Sequence, residues 1–118
     1  MAKETVSSPA EWRNCRGRAP GLMDLMGNLK LSVENEPVGV LHVEHGQVSI
    51  ELDGDASALL AVDSHNTLLH VLGGEQHPFV ANLQGRLRVE GDRALALRIL
   101  LGLRAGSPWS GLAKAEAA

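Results

Sequence analysis

The side chains with chemical potential are few: five histidines, one cysteine, a pair of nearby carboxylates and one double glycine. Metal chelation needs ligands on one face. His42 and His45 are three apart on a stretch that reads as a strand, which turns them to opposite faces, and His65 and His70 are five apart on a helix, about 140° around its axis. Neither pair chelates as it stands, and solvated histidines are the expected outcome. Cys15 lies where local structure is weakest, and no serine stands in the Gly-x-Ser-x-Gly setting that exposes a nucleophile at a strand-to-helix turn. Gly73-Gly74 follows a helical stretch instead of preceding one, so it ends a helix and does not cradle a phosphate. Glu90 and Asp92 have structural reasons to be where they are, one closing a strand and one capping a helix. No catalytic constellation, metal site or cofactor is therefore expected.

What must position any site is the unit from Gln84 to Arg104. In Arg86-Leu87-Arg88-Val89-Glu90 apolar residues fall on every second position, the period of a half-buried strand. Gly91 breaks it, and Asp92 is set to accept from the free amides of the next helix's first turn. From Ala94 to Leu103 that helix is apolar over most of its circumference. Such a helix is buried on several sides, by core, partner, membrane or ligand.

Upstream, Asn28 to Glu34, Val38 to Glu44 and Gln47 to Leu52 read as strands, separated by turns at Asn35-Glu36-Pro37 and His45-Gly46, an antiparallel meander. Ala56 to Val62 reads as a more buried strand. Asp63 or Ser64 then caps a helix over His65 to Leu72, and Pro78 opens a short turn over Phe79 to Leu83. The order β-β-β-β-α-α-β-α is an α+β domain over residues 28–104 with helices on one face of the sheet. Residues 1–27 read as a flexible arm in which Leu22, Met23, Leu25 and Met26 form a short apolar helix, with Trp12 as an anchor. Residues 105–118 read as a tail in which Trp109 and Leu112 can dock.

Composition narrows the function. In 118 residues, 44% are hydrophobic but only 3% aromatic, so the interior is aliphatic, suited to a hydrocarbon more than to a planar or hydroxylated ligand. A net charge of -3 gives no overall field for nucleic acid. Arg13, Arg16 and Arg18 read as a solvated loop. A lone cysteine and no secretory leader pattern point to the cytoplasm, and no apolar run reaches the roughly 20 residues that span a bilayer.

Ala56 to Leu60 with Val62, Ser64 to Leu69, Leu72-Gly73-Gly74, and Leu83 to Asp92 followed by an apolar helix together resemble the sterol carrier protein type 2 family, over about residues 28 to 104. Gly85-Arg86-Leu87-Arg88-Val89-Glu90-Gly91-Asp92 is the strongest piece. The resemblance implies a five-stranded, mostly antiparallel sheet with one crossover, covered by helices, and an apolar tunnel between the layers. It implies non-enzymatic binding and carriage of a fatty acid, fatty acyl-CoA, sterol or isoprenoid lipid. Leu68, Leu69, Leu72, Phe79, Val80, Leu83, Leu95, Ile99 and Leu103 match the family's helices and would line the tunnel. Family members usually begin with a longer amphipathic helix. Here that region is broken by Gly17, Pro20, Gly21 and Gly27, an opening for a second chain to complete. The final Ala115-Glu116-Ala117-Ala118 is not a peroxisomal tripeptide, which favours a bacterial cytoplasmic protein. The expected partners are a lipid, a homodimer mate and at most a transient membrane contact. The alternative is a structural or dimerisation module with a self-filled core, its partner held by Leu97 and Leu101.

Overall fold

The computed structural model describes residues 12–110; residues 1–11, with Pro9, and 111–118, with Leu112 and the final tetrapeptide, lie outside the described residues. Six strands form one sheet: β1 (Gly17–Arg18), β2 (Met26–Val33), β3 (Glu36–Glu44), β4 (Gln47–Glu51), β5 (Ala58–Val62) and β6 (Leu87–Gly91), in the order β1-β4-β3-β2-β5-β6. Every pairing is antiparallel except β2 with β5, where the chain crosses over. Two α-helices, α1 (His65–Leu72) and α2 (Pro78–Leu83), lie between β5 and β6 in the chain, and α3 (Arg93–Gly102) follows β6.

Alternation decides which face is dry. Leu29 faces Leu41 on β3 and Ala58 on β5, and Leu60 faces Val89, so these positions share one side of the sheet and are buried. Lys30, His42, Ser49, Arg88 and Glu90 share the other side, which the helices leave uncovered. The meander turns are tight. Glu34 and Asn35 both have positive φ, as do His45 and Gly46, the conformation whose twist suits a two-residue hairpin. The first turn therefore sits one residue earlier than Asn35-Glu36-Pro37, and Glu36 and Pro37 already belong to β3.

Two expectations are corrected. The sheet has six strands and not five, because Gly17 and Arg18 pair with Val48 and Gln47 at its edge, and two residues are too few for alternation to be seen. The apolar cluster Leu22 to Met26 is not an α-helix. A single 3-10 turn covers Pro20–Leu22, and Met26 starts β2 opposite Glu44. A five-residue helix between Gly21 and Gly27 would meet the full nucleation cost, while the neighbouring strand offers regular hydrogen bonds to the same backbone.

The segments flanking the sheet and helices pack into the same core. Trp12 and Trp109 are fully buried, and the Trp109 indole N–H donates to the Trp12 carbonyl at 2.8 Å across 97 residues. Ser107 and Ser110 hydroxyls donate to the Leu72 and Gly73 carbonyls at 2.6 and 2.8 Å, satisfying acceptors that the end of α1 leaves free. The 3-10 turn meets the C-terminal end of α3 backbone to backbone at Gly21 and Gly102; a Cβ on Gly102 would collide with the Leu22 side chain and the Gly21 carbonyl.

That contact yields a test. Gly102→Val should lower unfolding free energy by about 2 kcal/mol or more in urea titrations, because main chain on one side cannot yield and Leu22 is fully buried; an unchanged midpoint would show that the two segments do not touch in solution.

Candidate functional site

A recess of about 230 Å³ opens where α2, β6 and the first half of α3 meet, lined by Phe79, Asn82, Leu87, Arg88, Val89, Arg93 and Leu97. Each wall has a local cause. The His77 ring nitrogen accepts from the Phe79 amide at 3.1 Å and Pro78 occupies the first turn, which fixes where α2 starts. The Asn82 side-chain amide donates to the Leu87 carbonyl at 2.9 Å, tying α2 to β6. On the far side, Gly91 at φ 80 turns the chain out of β6, and the Asp92 amide is held by the Ser57 carbonyl at 2.9 Å. The Asp92 carboxylate then accepts from the Leu95 amide at 3.1 Å. With α3 started there, Arg93 and Leu97 lie one turn apart on the side that meets α2.

The lining combines apolar residues with two exposed arginines. Leu87, Val89, Leu97 and Phe79 supply the hydrocarbon. Arg88 is ion-paired, its Nε 2.6 Å from Glu90 Oε2 two residues along the same strand. Arg93 is exposed and has no ion pair among the described residues. No carboxylate, histidine, serine or cysteine among the described residues lines the recess.

The nine residues assigned to a tunnel wall from the family resemblance divide into three groups. Leu68, Leu69, Leu72, Ile99 and Leu103 are fully buried in the continuous core. Leu95 is partly buried, packs on that core and reaches over Gly27. Phe79 lines the recess, while Val80 and Leu83 stand exposed beside it. Sequence reasoning misses Asn82, Leu87, Arg88, Val89, Arg93 and Leu97. A signal exists for three: Leu87 and Val89 alternate on the strand, and Leu97 follows Arg93 by one turn, although the helical pattern assigns it with Leu101 to an outer dimer face.

The histidines form no comparable site. His42 Nδ1 lies 2.7 Å from Asn28 Oδ1 and its Nε2 lies 3.6 Å from Glu44 Oε1, on the uncovered face of the sheet. Among the described residues, no group of three His, Cys, Asp or Glu side chains is placed to hold a metal ion. No helix among them is long and apolar enough to cross a membrane.

A meander extended by a crossover strand and its antiparallel neighbour, with helices on one face of the sheet, defines a sterol-carrier-type fold. The chain belongs to the SCP-2 sterol transfer family, whose model matches residues 13–100. Among solved structures, the UbiJ-SCP2 ubiquinone synthesis protein is similar at a TM-score of 0.53 and 20% identity, over 83% of this chain and 77% of that one. A crystal structure of sterol carrier protein 2 is similar at a TM-score of 0.47 and 21% identity, over 80% of this chain and 78% of that one. The sterol carrier protein domain 2 of Helicoverpa armigera gives a TM-score of 0.48 at 16% identity, over 72% of each chain. No curated protein sequence matches significantly. At 20% identity, the likeness to the UbiJ-SCP2 structure speaks for the fold alone.

Since the Asp92 cap starts the helix that carries Arg93 and Leu97, Asp92→Ala should cost about 1 kcal/mol of stability. Amide exchange at Leu95 should accelerate more than in the centre of the sheet; uniform protection along α3 would remove the cap from this account.

Proposed function

We propose that the chain binds the aliphatic tail of a fatty acid, fatty acyl-CoA, sterol or isoprenoid lipid and carries it through the cytoplasm without altering it. The observation that carries this reading is α2, a six-residue helix whose Phe79, Val80 and Leu83 are 47%, 43% and 86% exposed beside an apolar recess. Three large apolar side chains on so short an element are costly in water. They are useful when a tail or a bilayer surface covers them.

The recess is smaller than the roughly 300 Å³ at which ordinary small-molecule pockets begin. It receives the end of a tail, and a longer tail needs α2 to move. Little holds that helix down. It buries only Pro78 and Ala81; the Asn82 side chain bonds to Leu87 of β6, and the amide of Arg86, just before β6, bonds to the Ala81 carbonyl. Beneath it lies an aliphatic core. At about 0.8 kcal/mol per methylene, ten buried carbons contribute about 8 kcal/mol before ordering costs, enough for micromolar binding.

Carriage is favoured over turnover by the lining itself, whose residues are Phe79, Asn82, Leu87, Arg88, Val89, Arg93 and Leu97, none of them suited to nucleophilic or acid–base work. Phe79, Val80 and Leu83 also supply the surface for brief membrane contact during loading and unloading.

Native mass spectrometry of the purified protein, followed by solvent extraction, should recover a lipid at near one per chain. Affinity for saturated tails should rise with each added pair of carbons up to a limit, and Leu97→Trp, which fills the recess, should weaken uptake at least tenfold with the circular dichroism unchanged. Absence of uptake by the wild type, or affinity independent of tail length, would overturn the reading.

A further inference from the structure

We infer that β6 pairs with β6 of a second copy of this chain across a two-fold axis at Val89, joining two sheets into one; the pairing needs no lipid and stands apart from the tail-binding reading. The sheet order ends at β6, so one side of this strand has no ladder partner among the described residues. Hydrogen bonds at both ends of the ladder with β5 fix which groups point that way. The Asp63 amide donates to the Arg86 carbonyl at 3.0 Å, and the Asp92 amide donates to the Ser57 carbonyl at 2.9 Å. Arg86, Arg88, Glu90 and Asp92 therefore turn their backbone groups toward β5, while those of Leu87 and Val89 turn outward. Asn82 already bonds the Leu87 carbonyl. Val89 offers both its amide and its carbonyl, at the middle of the edge.

An edge pairs with itself only when the residues that the axis relates suit one another. With Val89 opposite its own copy, the two residues exchange both N–H···O bonds, and Arg88 lies opposite the partner's Glu90. The same contact recurs on the other side of the axis. Arg88 and Glu90 sit side by side on the uncovered face, Nε 2.6 Å from Oε2, so two copies set four charges in alternating sign. Edges that avoid pairing carry proline, a bulge or charges that repel. Here the symmetric positions attract, no proline is present, and the register with β5 runs unbroken from Leu87 to Gly91. One step further out, Leu87 meets the partner's Gly91. There α2 reaches the edge through Asn82, and a glycine leaves it room. A five-residue edge supplies only part of the roughly 1,200 Å² that a stable interface buries. Phe79 and Leu97 add to it, because the axis sets α2 of one copy beside the start of α3 in the other.

The test is a charge exchange in the full chain. Sedimentation equilibrium from about 5 μM to about 500 μM should show a monomer–dimer equilibrium for the wild type, with amide exchange at Val89 slowing as the dimer fills. Arg88→Glu sets like charges opposite one another at both contacts and should weaken self-association at least about tenfold, and Glu90→Arg should do the same. Mixed together, the two variants restore opposite charges at every contact, so they should dimerise with each other more tightly than either does with itself. Both side chains are exposed, and the circular dichroism of each variant should match the wild type. A wild type that stays monomeric over the whole range overturns the pairing. So does a dimer that both variants keep without preferring each other, or one in which the Val89 amide exchanges as fast as in the monomer, because the contact then lies elsewhere.

Discussion

The position of α3 is the constraint on which the remaining structure depends. Ala96, Ile99 and Leu100 are fully buried on a helix that touches β5, β6, α2 and the 3-10 turn at Pro20–Leu22. At its C-terminal end the fit has no slack. Gly21 and Gly102 bring main chain against main chain, with Leu22 pressed beside them, and the Trp12 and Trp109 segments close the region around the end of α1. Its N-terminal half is looser, because the neighbour there is the short α2, and the recess is what that looseness leaves. One rigid end and one loose end make the molecule asymmetric in its response to a guest. Any enlargement of the interior proceeds by displacement of α2, since the other end moves only at the cost of close-packed backbone.

Much of this architecture is legible in the chain because most of its strands are half-buried. Polar and apolar residues alternate without fault from Asn28 to Val33, and the structure keeps Leu29, Leu31 and Val33 on the dry face. Helix starts are also legible: Asp92 reads as a cap, Asp63 or Ser64 as another, the role Ser64 takes, and Pro78 as a first helical residue, although the cap before it, His77, is not seen. What is not legible is set by contacts far along the chain. No local period distinguishes a docked Trp109 from a free one, since its indole partner lies 97 residues away. Likewise Gly17 and Arg18 become a strand only because β4 has a free edge.

The candidate site is hidden from the sequence for a more instructive reason. In α2 the residues Phe79, Val80 and Leu83 form the apolar face, and periodicity assigns that face to the core. The structure instead turns Ala81 inward, with no exposed surface, and leaves the large side chains outside. Space explains the inversion. Leu68, Leu69, Leu72 and Ile99 are already buried in the core, and the side of α2 turned inward carries the small Ala81. A helix that buries its small side against its own amphipathic preference is a local conflict, and such conflicts concentrate where function has a claim on the sequence.

That inversion gives the proposed lipid uptake a physical basis. The core is complete without Phe79, Val80 and Leu83, which are exposed. On the proposed reading, a tail that enters the recess displaces α2, whose own buried residues, Ala81 and Pro78, are small. In return the tail packs on Leu87, Val89 and Leu97 and on the apolar face of α2 itself. On that reading the gain grows with each methylene, while the cost of moving α2 is met once. A core filled by aliphatic side chains and a capacity for lipid are therefore compatible in one chain, provided the element between them is short, weakly anchored and apolar on its outer side.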